Sequence, residues 1–285
     1  MKKKIIMEEI SMSDLEPPQY KLGSGEFGRV FEATFRGKPV VYKIMKHAIH
    51  NSVHENELKI LYSLRDVPHV PRVYGFARCP ERDILYLIME KAPGITLYNY
   101  VFYNDISFLW RLYMAKNICR TIAHLHERFV LYRDLKPDNI VIDPSDHHHF
   151  LIDFGLSVQC ASIDERVEGM AGTPGYMAPE IYMEKQYGFP IDIYSLGMTL
   201  YFLFTHREPE RLSVLYFHLT HSNVPRDIQM IILDCLQLNT RHRPTAMDLH
   251  DRLTEIYTHW RRLKQVQKKK KPQQQGWWSF WWCRP

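Results

Sequence analysis

LYRDLKPDNIVID, residues 131–143, sets Arg133, Asp134, Lys136, Asp138 and Asn139 within seven positions, flanked by apolar residues that include Leu131, Ile140 and Ile142. A buried run that crowds charged and amide groups together pays a desolvation cost unless those groups serve one another or a ligand. The stretch therefore asks for a chemistry that uses them jointly.

Two downstream clusters belong with it. FLIDFGLS places Asp153 at the end of an apolar run, and AGTPGYMAPE places Gly172, Thr173 and Glu180 some twenty residues later. Upstream, KLGSGEFGRVFEATFRGKPVVYKIM (21–45) holds Gly23, Gly25 and Gly28 between β-forming runs, with RGKP as a turn and Lys43 near the end of a strand. Glycines at this spacing let backbone amides approach phosphate oxygens, and a lysine adds charge. Alone, the pattern also describes a tight β-turn. A dinucleotide site would need a helix directly after the glycines, where another strand is expected.

SVHENELKILYSL repeats Val53, Glu57, Ile60, Leu61 and Leu64 at helical steps, with Glu57 on the apolar face. An acid there needs a partner, and Lys43 is the candidate. DILYLIMEKAPG reads as a buried strand over 84–89 followed by a break at Pro93 and Gly94, which predicts the link between two lobes. Beyond about residue 93 the apolar period is mostly helical: Leu112, Ile118, Ile122 and Leu125 in one stretch, Ile228, Ile231, Ile232, Cys235 and Leu236 in another.

In this order, the glycine motif over 23–30, Lys43, Glu57, YRDLKPDN, DFG, APE, DIYSLG and the last arginine of RHRP resemble the protein kinase family, in its serine/threonine branch. Each motif alone is weak, whereas the ordered set over residues 20–257 is specific. The resemblance implies an α+β bilobal kinase fold: a small β-rich lobe over 20–91 and a larger α-helical lobe over 92–257. An extension over 1–19 precedes it and a basic, Trp-rich tail over 258–285 follows.

The roles that the resemblance implies each have a physical reason, because phosphoryl transfer depends on positioning and charge neutralisation. Asp134 accepts or orients the proton of the attacking hydroxyl, and Lys136 neutralises charge on the moving phosphoryl group. Lys43, fixed by Glu57, grips the α- and β-phosphates of ATP. Asn139 and Asp153 offer the oxygen ligands that Mg²⁺ prefers. The nucleotide slot is implied at Leu22, Gly23, Ser24, Gly25, Glu26, Phe27, Gly28, Arg29, Val30, Val41, Lys43, Glu90, Ala92 and Val141. The backbone of Glu90 and Ala92, past the gatekeeper Met89, meets adenine, while Val41 is bulkier than the family's usual alanine.

Tyr132 replaces a commoner histidine but suits an apolar stack with Leu61, Val73 and Phe154, with Asp192 holding the loop from below. Lys136 with Thr173 resembles the serine/threonine branch. Thr96 stands where relatives that demand substrate arginines carry a glutamate, so no strong demand is expected. The activation segment, 155–172, offers Ser157 and Ser162 as phosphate acceptors and none just before GTPGY. Asp164, Glu165 and Glu168 stand there instead. Glu168 is the expected phosphate substitute for Arg133, giving activity without phosphorylation. The competing reading is that these acids solvate the loop.

The remaining signals bound the class. At 285 residues and 45% hydrophobic content a sizeable core is available. Five separated cysteines without CxxC pairs, and a start (MKKKIIMEEISMSD) without an apolar leader, predict a reducing intracellular setting, cytoplasmic or nuclear. IYSLGMTLYFLFT (193–205) is too short for a membrane span and reads as a buried helix. His147, His148 and His149 read as a surface turn in a hairpin, because no second cluster completes a metal site.

From Arg261 onward there are eight basic residues and no acid, against a net charge of +5, so the preceding part is net acidic. KKKK at 268–271 and Trp277, Trp278, Phe280, Trp281 and Trp282 suit peripheral contact with an anionic membrane surface. A docking peptide, an import signal and a disordered tail are the other readings. The expected partners are protein substrates, with a monomeric chain and no specific nucleic-acid binding. A pseudokinase scaffold localised by its tail is the reading from another class, and small-molecule phosphorylation is a third, disfavoured by the peptide-docking look of GTPGYMAPE.

Overall fold

The computed structural model describes residues 8–25, 28–79, 84–183 and 186–270. Strands β1 (Tyr20–Gly25), β2 (Gly28–Phe35), β3 (Lys38–Lys46), β4 (Val73–Cys79) and β5 (Ile84–Glu90) form one antiparallel sheet in the order β1-β2-β3-β5-β4. Arg36 and Gly37 join β2 to β3 with positive φ values of 51° and 72°, the twist that a two-residue hairpin favours. Helix α1 (His47–Ser63) packs on this sheet through Leu58, Ile60 and Leu61, which, with Leu64 just after the helix, share a buried cluster with Met45, Leu85 and Leu87. Gly28 is required where it stands: its φ is +145°, and a Cβ would lie 2.5 Å from the Ile44 carbonyl oxygen.

The segment before β1 is part of this lobe. Ile10 is buried with Ala33, Phe35, Val40 and Tyr42 on the sheet's other face, and its N–H donates to the Phe76 carbonyl at 2.8 Å.

The lobes join at Pro93 and Gly94. Gly94 has φ +106°, and a Cβ there would sit 1.9 Å from the Ile142 carbonyl oxygen, so only glycine lets the link pass so close to the large lobe. That lobe holds β6 (Ile95–Thr96), α2 (Leu97–Tyr103), α3 (Phe108–Glu127), α4 (Glu180–Met183), α5 (Pro190–Thr205), α6 (Leu212–Thr220), α7 (Arg226–Cys235) and α8 (Ala246–Lys270). Four short strands carry the functional loops: β7 (Val130–Leu131), β8 (Ile140–Ile142), β9 (His149–Leu151) and β10 (Val158–Gln159). With an antiparallel sheet of five strands beside a helical part, the fold is the bilobal α+β kind that the motifs implied.

Helix α3 starts at Ser107, whose hydroxyl accepts from the Trp110 N–H, and it buries Leu112, Ala115, Ile118, Ile122 and Leu125 along one side. Helix α5 is buried almost all round, as its uncharged run predicted, and forms the centre of the large lobe. Arg243, just before α8, clamps Glu180 of α4 in a buried bidentate pair at 2.5 and 2.8 Å. Helix α8 continues unbroken past residue 257 to Lys270. The Trp-rich segment, 271–285, lies outside the described residues, and no described helix is long and apolar enough to cross a membrane.

The histidine turn differs from expectation. His149 begins β9 and is buried, with its Nε2 2.9 Å from the Thr121 hydroxyl and its ring stacked on His69 at 4.0 Å. The strand alternation that starts at His149 turns this side chain inward, where the sequence alone suggested a surface turn.

Candidate active site

Between the lobes lies a cavity of about 670 Å³, lined from above by Leu22, Val30, Val41 and Lys43 and from below by Asp134, Asn139, Val141 and Asp153. The register of β2 against β3 pairs Val30 with Lys43 and Glu32 with Val41. Gly23, Gly28, Glu90 and Ala92 line the same cavity, with Met89 beside them. Ser24 and Gly25 end β1 and Arg29 lies in β2. Glu26 and Phe27 lie outside the described residues.

Lys43 projects from β3 and meets Glu57 of α1, with Nζ 2.6 and 2.9 Å from the two carboxylate oxygens. It also donates to Asp153 Oδ1 at 3.0 Å. Burial would push the ammonium pKa down, but the Glu57 and Asp153 carboxylates outweigh it and hold it raised, so the cation persists. Burial likewise works against the Asp153 carboxylate, and Lys43 outweighs it, so the Asp153 pKa is lowered. One lysine thereby ties a strand, a helix and the DFG loop at a single point.

The loop between β7 and β8 carries the residues of the opening motif. Asp134 Oδ1 accepts from the Thr173 hydroxyl at 2.6 Å, and Oδ2 accepts from Lys136 Nζ at 2.9 Å and Asn139 Nδ2 at 2.8 Å. Lys136 also donates to the Thr173 hydroxyl at 2.5 Å. Asn139 donates a second bond to the Asp134 carbonyl at 2.8 Å, which fixes its amide and leaves the side-chain oxygen as its remaining donor atom for a cation. The crowding of the motif is thus a network in which nearly every polar atom has a partner.

Asp192, fully buried at the start of α5, supports this loop from below by accepting from the Tyr132 N–H and the Arg133 N–H, both at 2.8 Å. His126 adds a third contact to it at 3.0 Å. The Tyr132 ring packs edge-on against Phe154 at 5.1 Å, in the stack that the sequence implied. Two side-chain-bearing residues here have left-handed backbones, Arg133 at φ 76° and Asp153 at φ 59°. Such conformations persist where surrounding contacts over-determine them, as these do.

Asp153 and Asn139 fit a hard divalent cation. Both offer oxygen, both face the cavity, and the Asp153 side chain is half exposed to it. Among the described residues no cluster of three or more histidine, cysteine, aspartate or glutamate side chains suits a metal. Two protein oxygens completed by phosphate oxygens and water is the pattern of Mg²⁺ rather than of a dedicated metal cage.

The activation segment departs from the sequence reading at two residues. Glu168 does not meet Arg133; its Oε1 accepts from Gln186 Nε2 at 2.9 Å. Arg133 Nη2 instead donates to the Tyr187 hydroxyl at 2.8 Å, and that hydroxyl donates to the Gly169 carbonyl. A carboxylate four positions before the end of the segment was the obvious charge partner in sequence, whereas Tyr187 carries no such signal. Ser157, named as a phosphate acceptor, is buried, with its hydroxyl on the Tyr132 carbonyl at 3.2 Å, while Ser162 is exposed. Asn56, beside Glu57, was not anticipated: its amide donates to the Ser157 carbonyl at 2.9 Å and ties α1 to the segment.

With this geometry in place, similarity to known proteins is informative. The protein kinase domain family matches residues 18–253. The chain belongs to that family. A Dictyostelium discoideum protein named "Probable serine/threonine-protein kinase" is 26% identical over 88% of this chain and 44% of its own length. The dual specificity protein kinase shkB of the same organism is 27% identical over 90% of this chain and 39% of its own. A calcium-dependent protein kinase of Plasmodium berghei (strain Anka) is 28% identical over 86% and 47%. The chain therefore spans less than half the length of these relatives.

Proposed function

We propose that this kinase transfers the γ-phosphoryl group of ATP, with Mg²⁺, to serine or threonine hydroxyls of proteins, and that it does so without phosphorylation of its activation segment. The observation that carries the reading is the Asp134 carboxylate, held by Lys136, Asn139 and Thr173 within one hydrogen-bonded network.

Asp134 accepts or orients the proton of the acceptor hydroxyl, and Lys136 neutralises charge on the moving phosphoryl group. Lys43, kept cationic by Glu57 and Asp153, draws the non-transferred phosphates to the roof of the cleft. When bound, Mg²⁺ neutralises charge on the phosphate oxygens. Val30, Val41 and Val141 give the apolar walls that a flat base needs.

The acceptor class rests on the bridge from Lys136 to Thr173, which orders the loop from the catalytic side. One relative is named a dual specificity kinase, so phosphotyrosine is the outcome to look for against this reading. Transfer of labelled γ-phosphate to a mixed peptide library, followed by phosphoamino-acid analysis, should give phosphoserine and phosphothreonine. Phosphotyrosine as the main product would overturn the acceptor class. ATP binding without transfer would favour the scaffold reading.

Independence from phosphorylation is supported by the partner that Arg133 already has in Tyr187. For the basic, aromatic segment after residue 267 we propose peripheral contact with anionic lipid, on charge and ring content alone. Cosedimentation with phosphatidylserine vesicles, compared with neutral vesicles, tests it; equal recovery in both would contradict it.

A further inference from the structure

A second cavity, of about 480 Å³, lies within the large lobe between the start of α3, the end of α5, α6 and the connection into α7. It shares no lining residue with the catalytic cleft. Its size falls within the roughly 300–1,000 Å³ common for small-molecule sites.

Its chemistry is asymmetric. Arg111, His206, Arg207 and His218 line it, and no acid does. Phe108 and Phe204 give the apolar wall, with ring centroids 5.9 Å apart, and Trp260 of α8 supports Phe108 edge-on at 4.9 Å.

Two of the polar groups are left short of partners. The Arg111 guanidinium is partly buried and donates only to main-chain carbonyls, Leu203 at 2.7 Å and Ile106 at 3.3 Å. Carbonyls orient a guanidinium without cancelling its charge, and among the described residues it forms no ion pair. His218 Nδ1 is buried with no hydrogen bond, the nearest carboxylate oxygen, Glu210 Oε1, being 3.8 Å away. Asp105 and Glu210 stand near the cavity but do not line it. The chain's own segment from 261 onward is basic without an acid, so its charge is wrong for this site.

We propose that this cavity is a second ligand site, for a small organic anion whose carboxylate or phosphate head pairs with Arg111 and Arg207, and whose apolar body lies against Phe108 and Phe204. Guanidinium groups suit both heads because their fork matches two anionic oxygens at once.

The test is calorimetric titration of the full chain, with its catalytic cleft saturated by ADP and Mg²⁺, using phenyl phosphate, benzoate and neutral benzyl alcohol as probes. The proposal expects saturable binding of at least one anion and none of the alcohol, with the two anions distinguishing the head group. Arg207→Ala should weaken that binding by about tenfold. Arg207 is exposed, and among the described residues its side chain makes no hydrogen bond, so this variant keeps the fold intact, which a melting curve checks. No saturable anion binding, equal affinity for the alcohol, or unchanged affinity in Arg207→Ala would each overturn the assignment.

Discussion

The Arg133 guanidinium and the Tyr187 hydroxyl are joined by a 2.8 Å hydrogen bond, and the arginine also lies over the tyrosine ring at 5.7 Å. Arg133 immediately precedes Asp134, and Tyr187 reaches the Gly169 carbonyl, so one side chain links the catalytic loop to the activation segment. A phosphate is not needed to make that link.

Tyr187→Phe should therefore lower kcat by about tenfold, the rate equivalent of one charge-assisted hydrogen bond. Glu168→Ala should leave kcat unchanged, since Glu168 bonds Gln186 instead. Steady-state rates before and after phosphatase treatment check both. A large loss in Glu168→Ala, or on phosphatase treatment, would restore the acidic or phosphorylated switch.

The pair of Lys43 and Glu57 is buried on both sides, with side-chain exposures of 6% and 1%. Breaking such a pair from one end costs about 3–5 kcal/mol, because the other charge stays buried. Lys43→Met should abolish transfer and leave Glu57 with burial as the dominant influence, which raises its pKa. A carboxyl with a raised folded-state pKa stabilises the fold below its unfolded pKa and loses that contribution as pH rises. Lys43→Met should accordingly be destabilised more at pH 8 than at pH 5, as urea midpoints would show. An equal loss at both values would contradict this.

Arg243 spends its guanidinium on Glu180, on the Pro190 carbonyl at 2.9 Å and on the Gln237 carbonyl at 2.8 Å. Arg243→Ala should destabilise the protein by about 3–5 kcal/mol by chemical denaturation. Arg243→Lys should recover only part of it, because an ammonium cannot reproduce the two-pronged contact. Full recovery by lysine would show that charge alone matters here.

His69 and His149 set an acid limit. Burial is the main cause in both: His69 is lowered to about 4, and His149 is held well below the ordinary 6.5. Above pH 6.5 folded and unfolded chains are both neutral at these rings. As pH falls through that value, the unfolded chain takes up protons that the fold refuses, so stability declines from there toward about pH 4. The urea midpoint should drop between pH 7.5 and pH 5, and less steeply in His149→Gln. An identical drop in that variant would place the effect elsewhere.

Much of the site was legible because its motifs are local: Asp134, Lys136 and Asn139 sit within six residues and meet one another within the same loop. The pairing of Lys43 with Glu57 was legible for a different reason. An acid on an apolar helix face demands a cation, and one strand lysine was in reach. What the sequence left hidden depends on tertiary approach. Tyr187 reaches Arg133 across more than fifty positions, His149 is turned inward by the strand register, and Ile10 is buried against Ala33, Phe35, Val40 and Tyr42, residues of later strands. Charge drew attention to Glu168, but chain geometry sends it to Gln186.

The most direct measurement is phosphoryl transfer from ATP·Mg²⁺ to a peptide library by the parent and by Asp134→Asn, with nucleotide binding and melting followed in both. Asparagine keeps the shape of the side chain that Lys136, Asn139 and Thr173 hold but removes its charge. Transfer to serine and threonine by the parent alone, with both proteins folded and binding nucleotide, is the predicted result. Equal transfer by Asp134→Asn, or none by a folded, nucleotide-binding parent, would contradict it.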